Sequence, residues 1–152
     1  LAFLEKDRYN KIIHFEKGGF FMLYTYQIRT PEENWIPITA QVNGAIAESG
    51  IQSGICVVYC PHTTAGITVN EATNPQVISD LLLAYRTAFP KQKAFQHQEG
   101  NSAAHAKASA VGNSVTLCVE QGRALLGPWQ GIYLCEWNGP RIRTVYVKVI
   151  KE

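Results

Sequence analysis

Residues 114–151 contain three β-type runs in close succession, SVTLCVEQG, GIYLCEWNG and RIRTVYVKVIK, separated by turns rich in glycine. Connections this short leave no room for the crossover of about a dozen residues that a parallel pair needs. The carboxy-terminal third is therefore expected to form an antiparallel or mixed sheet, and the helical segments upstream must cover it. The fold class that follows is α+β, with about three helices on a mainly antiparallel sheet. At 152 residues, 46% of them hydrophobic, the chain is large enough for one domain with its own core.

Upstream, FFMLYTYQIRT (20–30) reads as a strand and 31–34 as a turn. IPITAQVNGAIAESG carries Ile38, Val42, Ala45 and Ile46 at helical spacing, with Gly50 as its stop. GICVVYCPHTTAGITVNEA reads as two short strands broken at Cys60-Pro61-His62. NPQVISDLLLAYRTAFP is the clearest helix, capped by Asn74, started by Pro75, with Val77, Leu81, Tyr85 and Ala88 as its buried stripe. SAAHAKASAVG reads as a short helix ended by Gly112, and its alanines predict a close approach to a neighbouring backbone within a trimer. Residues 1–19 have no clear period and are taken as an amino-terminal arm preceding a single domain over 20–152.

Fourteen basic and twelve acidic side chains leave a net charge of +2, with no block of like charge to favour nucleic acid. No apolar run approaches the roughly 20 residues that span a bilayer, and LAFLEKDRYNK places charges too early for a secretory segment. Cys56, Cys60, Cys118 and Cys135 each lie in an apolar β-type run and read as buried free thiols, which points to the cytoplasm.

Three stretches carry chemistry. PHTTAGITVNEA places His62 and Thr63 at one end of an apolar hairpin and Asn70 and Glu71 at the other; the first pair otherwise satisfies turn backbone groups. HQEGNSAAHAKA places His97 and His105 eight positions apart. On one continuous helix they would stand about 12 Å apart, but a helix beginning at Asn101 or Ser102 leaves His97 in a loop that can fold back at Gly100. Asn101 or Ser102 would cap that helix, whose first-turn N–H groups suit an anion. In the third stretch, Gly127, Gly131 and Gly139 mark turns around Trp129, Gln130 and Asn138. Arg141 and Arg143, two apart on a strand, share a face and offer forked donors to phosphate or carboxylate, or else pair with acids.

CPHTTAGITVNEA, HQEGNSAAHAKASAVGNS and GRALLGPWQGIYLCEWNGPRIR together resemble the YjbQ-type family, in order and spacing, from about residue 20 to the end. The resemblance implies a compact α+β homotrimer with a histidine-containing site near subunit contacts, and secondary thiamine-phosphate synthase activity. Carried onto this chain, it assigns site roles to His62, His97 and His105, the Asn70-Glu71 pair, Asp80, Trp129-Gln130, and Arg141 with Arg143. Asn74, Pro128 and Asn138 depart from the family's usual acid, threonine and aspartate.

The activity so implied joins a pyrimidine pyrophosphate to a thiazole phosphate and needs charge stabilisation at phosphates more than a strong nucleophile. His62, His97, His105, Glu71 and Asp80 are the expected catalytic groups. Thr63, Asn70, Asn101, Ser102, Trp129, Gln130, Arg141 and Arg143 are the expected contacts to a small phosphorylated molecule. The three histidines are also expected to converge on a divalent metal, zinc or a similar ion, with one coordination position open. No aspartate-rich magnesium motif is present. Two rivals remain: a metal-dependent hydrolase or lyase acting on a small phosphorylated compound, and a non-enzymatic trimer that binds small anions.

Overall fold

The computed structural model describes residues 9–15, as backbone, and residues 21–152. Its elements in chain order are β1 (Tyr9–Phe15), β2 (Phe21–Thr30), β3 (Asn34–Pro37), α1 (Thr39–Ser49), β4 (Ser53–Tyr59), β5 (Ala65–Glu71), α2 (Pro75–Ala88), α3 (Ser102–Val111), β6 (Ser114–Glu120), β7 (Arg123–Ala124), β8 (Gln130–Glu136) and β9 (Arg141–Lys151). Six strands form one sheet in the order β1-β2-β9-β4-β6-β7, and three form a second in the order β3-β8-β5. Every pairing is antiparallel. The α+β expectation therefore holds, with the sheet wholly antiparallel among the described residues.

Strand β8 is the centre of the small sheet, and its burial explains the layering. From Gly131 to Glu136 every residue is buried, so both faces of the strand are covered. Ile132 and Leu134 face the main core, with Tyr24, Ile28, Val42, Ile46, Val58, Val145 and Val147 of the large sheet and α1. Tyr133 and Cys135 face the other way, into a smaller aromatic core with Trp35 and Trp137. This alternation is the period-two consequence of strand geometry. Helices α2 and α3 cover the second core through Ile78, Leu81, Leu82 and Tyr85, and through Ala104, Ala108 and Val111.

Several sequence expectations are corrected at this level. Part of the amino-terminal arm is a strand: β1 pairs with β2 from Tyr9↔Ile28 to Phe15↔Met22. Residues 1–8 and 16–19 of the arm, and Phe20 of the expected first strand, lie outside the described residues. The turn at 31–34 runs straight into β3, whose four residues are too few to show a period. The buried stripe of α2 is rotated from the expected one. Ile78, Leu81, Leu82 and Tyr85 pack inward while Ala88 is exposed, because the helix rests only on the small aromatic core and none of its residues is fully buried. Of the four free thiols, Cys56, Cys60 and Cys135 are buried but Cys118 is exposed, since it lies on the open face of β6.

The helix ends follow the expected chemistry with one exception. Asn74 Oδ1 accepts from the Gln76 N–H (3.0 Å) ahead of Pro75, and Gly50 closes α1 at φ 69°. Asn101 holds the cap position of α3 without a side-chain cap bond. Just past the end of α3, Gly112 makes a close backbone approach within the chain: its carbonyl accepts from Ile67 N (3.0 Å) on β5. A Cβ on Gly66 would lie 2.4 Å from that same oxygen, so only glycine permits the contact.

Candidate functional site

His62 sits in the loop between β4 and β5, and the carboxy-terminal half of α3 lies opposite. Between them is a cleft of about 590 Å³ whose walls include His62, Thr63, Ala65, His105, Ser109 and Asn113. The loop is pinned from below, because Cys60 N donates to Asn113 O (2.8 Å) and Trp137 N to Thr64 O (3.1 Å). The His62 ring is half-buried and accepts a hydrogen bond at Nε2 from the Thr144 backbone N–H (2.8 Å). An acceptor nitrogen carries no proton, so the neutral ring is the Nδ1–H tautomer. Burial lowers the His62 pKa from its ordinary value. The Arg143 and Arg141 charges lower it further, and Glu136 partly opposes them. His62 is therefore a neutral donor at neutral pH.

The reason Thr144 stands where it does is a buried ion pair one residue earlier. Glu136 is fully buried and accepts from Arg143 Nε (2.6 Å) and Nη2 (2.5 Å), Thr30 Oγ1 (2.8 Å) and the Asn138 N–H (2.8 Å). Arg143, 4% exposed, also donates from Nη2 to Thr64 Oγ1 (2.9 Å) and Thr64 O (3.3 Å). One carboxylate thus fixes β2, β8, β9 and the His62-Thr63-Thr64 loop together. Burial alone would raise the Glu136 carboxyl. The bonds from Arg143, Asn138 and Thr30 outweigh it and bring the group below the usual glutamate value.

The expected roles of the arginine pair change accordingly. Arg143 lends its fork to Glu136, and its charge acts on the cleft through His62. Arg141 is exposed, with Nε donating to Asn138 O (2.8 Å). That bond and the one from Asn138 N to Glu136 use the backbone, so the departure from aspartate at 138 leaves both in place.

His97 and His105 come together as expected. The His97 carbonyl accepts from the Gly100 N–H (3.0 Å), and Gly100 takes φ 70° to reverse the chain. The two rings then meet edge-on with centroids 5.5 Å apart, and His97 Nε2 lies 4.0 Å from Glu99 Oε2. Among the described residues the three histidines do not group as a metal centre. His62 spends Nε2 on Thr144 and carries a proton on Nδ1, so neither nitrogen is free to ligate. Among the described residues no three His, Cys, Asp or Glu side chains are grouped to hold a metal ion. Asn101 and Ser102 are also displaced from expectation: the start of α3 opens away from His62, into a different cavity lined by Asn101.

Asn70, Glu71, Trp129 and Gln130 gather at the other end of the small sheet. Glu71 pairs with Gln130 across β5 and β8, while Ala65, at the His62 end, pairs with Glu136. Six strand positions separate the two ends, about 20 Å at 3.3 Å per residue. Glu71 serves a turn there. Its Oε1 accepts from the Thr73 N–H (2.8 Å) and from Thr73 Oγ1, and these bonds lower its pKa. Asn70 Oδ1 accepts from the Glu71 N–H (2.7 Å), and Gln130 Oε1 from the Gly127 N–H (2.8 Å). Trp129 is 65% exposed, and Asp80 is exposed on α2. None of these side chains lines the His62 cleft.

These motifs, and the fold that carries them, recur in known proteins. The family model described as "UPF0047 protein YjbQ-like" matches residues 24–152. The chain belongs to the YjbQ family. The UPF0047 protein YugU of Bacillus subtilis is 49% identical over 131 residues, 85% of this chain and 99% of its own. A UPF0047 protein of Methanocaldococcus jannaschii is 48% identical, covering 85% and 94%. The crystal structure of an uncharacterized YjbQ/UPF0047 protein from Clostridium acetobutylicum superposes with a TM-score of 0.81. It is 48% identical, over 83% of this chain and 98% of that one.

Within this YjbQ fold, sequence reasoning missed Thr64, Glu136, Ser109 and Asn113. Glu136 had a signal, a lone acid inside the apolar run GIYLCEW, which marks a buried charge that needs a partner. Ser109 and Asn113 had none, because they reach the cleft only through the way α3 docks on β5. The walls of the cleft offer neutral donors to an anion, and no lysine or arginine is among them.

Proposed function

We propose that the protein is a small-molecule transferase that holds a phosphorylated substrate in the His62–His105 cleft, with thiamine-phosphate synthase activity, the reaction its YjbQ resemblance implies. The observation that supports this reading is His62 itself: a neutral Nδ1–H donor fixed by Thr144 in the wall of the cleft. In the reaction the thiazole ring nitrogen attacks the methylene carbon of the pyrimidine. The nitrogen–carbon bond forms, the carbon–oxygen bond breaks, and pyrophosphate leaves with the electron pair. Donors fixed in advance stabilise the charge that develops on the departing oxygen. Thr63, His105, Ser109 and Asn113 complete the donor set around His62.

In this reading the protein works as a cytoplasmic homotrimer. The Glu71–Trp129 end of one small sheet reaches a His62 cleft only from another copy, because about 20 Å separates the two ends within a chain. Trp129 and Leu125, 65% and 61% exposed around one turn, are suited to such a contact. The test is formation of isotopically labelled thiamine phosphate from the two phosphorylated precursors, by the intact chain and by His62→Ala and His105→Ala. Turnover that falls in both variants supports the assignment; turnover absent from the intact chain, or unchanged in the variants, rejects it.

The 5.5 Å approach of His97 to His105 favours a second reading, a metal-dependent hydrolase or lyase in which this pair supplies two ligands to a divalent ion. Metal analysis of the purified protein separates the two. Metal-free protein that binds phosphorylated compounds without turning them over would instead indicate a non-enzymatic anion-binding trimer.

A further inference from the structure

Helix α3 has a cavity on each side. His105, Ser109 and Gly112 face the histidine cleft, while Asn101, Ala104 and Lys107 face a separate cavity of about 530 Å³. This second cavity lies between the carboxy-terminal end of α2 and the amino-terminal end of α3. Its charged walls are Glu33, Arg86, Lys91, Glu99 and Lys107, and Trp137 and Phe89 supply apolar surface.

Lys107 is the unusual member. It is 6% exposed, and its Nζ donates to Glu33 Oε2 (2.8 Å) while lying 5.5 Å over the Trp137 ring. The other oxygen of the same carboxylate, Glu33 Oε1, accepts from Arg86 Nε (2.8 Å). One acid therefore serves two cations. Counting the walls, Arg86, Lys91 and Lys107 stand against Glu33 and Glu99, three positive to two negative. A lysine is stable out of water only when its charge is matched and its N–H groups are bonded, and half a carboxylate does neither fully. The amino end of α3 adds to the imbalance, since it opens here with no side-chain cap. Trp137, 4% exposed and also in the wall, has an indole N–H with no partner among the described residues.

We propose that this cavity is a second binding site, for a small organic anion bearing phosphate or carboxylate. Lys107 and Arg86 are its charged contacts, the first turn of α3 supplies further donors, Trp137 forms part of the wall, and the site is separate from the histidine cleft. The proposal does not depend on the reaction assigned to that cleft.

The intact chain, labelled with 15N, is titrated with inorganic pyrophosphate and, in a second arm, with citrate, while the tryptophan indole N–H resonances are followed. The expected result is a saturable shift of the Trp137 indole signal, with the tighter arm naming phosphate or carboxylate as the preferred group. Arg86→Gln, on a half-exposed side chain, and Lys107→Gln should each weaken it about tenfold, the loss of one charge-assisted hydrogen bond. His62→Ala should leave it unchanged. A Trp137 signal that stays fixed in both arms, equal affinity in Arg86→Gln, or loss of the shift in His62→Ala overturns the proposal. If Lys107→Gln fails to fold, Arg86→Gln and Lys91→Gln carry the test alone.

Discussion

Replacing Glu136 by glutamine tests the feature on which the His62 loop depends. The change keeps the shape of the side chain and removes its charge, leaving Arg143, 4% exposed, without a counterion. Glutamine must also present an NH₂ where the carboxylate accepted from Arg143, Thr30 and Asn138, so at least one of those donors loses its partner. Removing one member of a buried pair costs about 3–5 kcal/mol. For a chain of this size that corresponds to roughly 6–20 °C in Tm. Urea denaturation of Glu136→Gln should show a loss of that size, and the double variant Glu136→Gln/Arg143→Met should recover part of it, because no lone charge then remains buried. The pH dependence has a fixed sign. The folded-state carboxyl titrates below the usual glutamate value, so the unfolded chain binds more protons between the two values and stability rises with pH there. The advantage of the parent chain over the variant should be constant above the ordinary glutamate pKa and shrink as pH falls through the lowered one. A loss under about 1 kcal/mol, the scale of a surface pair, or a gap that does not narrow in acid, would refute the claim that Glu136 holds a desolvated arginine.

The His62 ring should titrate below the usual histidine value and show the Nδ1–H tautomer in long-range nitrogen–proton spectra; an Nε2–H ring would remove the Thr144 bond from the description. Because that folded pKa is lowered, His62 favours folding fully above the ordinary histidine pKa, and the contribution fades as pH falls through the lowered value. Gly66→Ala sets a methyl against the Gly112 carbonyl and Val111, so it should cost about 1–3 kcal/mol by thermal melting. It should also weaken phosphate binding in the cleft by shifting α3 away from His62; unchanged melting would show that α3 has room to yield. Light scattering at micromolar concentration should give about three times the chain mass, and a clean monomer would refute a site shared between copies.

Much of the architecture was legible because it rests on local chemistry. The three carboxy-terminal strands, the caps of α2, the glycine stop of α1 and the start of α3 between His97 and His105 each follow from residues within a turn or two of one another. That break in the helix is why the two histidines meet, and Gly100 supplies the reversal. Strand β1 and the two short strands β3 and β7 were missed, because their pairing comes from distant partners and not from any period of their own. For the site, the sequence marked His62, His105 and the arginine pair but not their roles. Which nitrogen of His62 is free, and that Arg143 is spent on Glu136, depend on β9 lying beside the His62 loop across 82 positions of chain. His62 stands apart from the expected three-histidine set for the same reason, since a histidine's ligand capacity is set by what already bonds to it. The sequence set Glu71 at the end of one strand and Trp129 in a distant turn without joining the two. Only the register of β5 against β8 put them at the opposite end of the sheet from His62, because strand pairing fixes distance in a way that spacing along a chain does not.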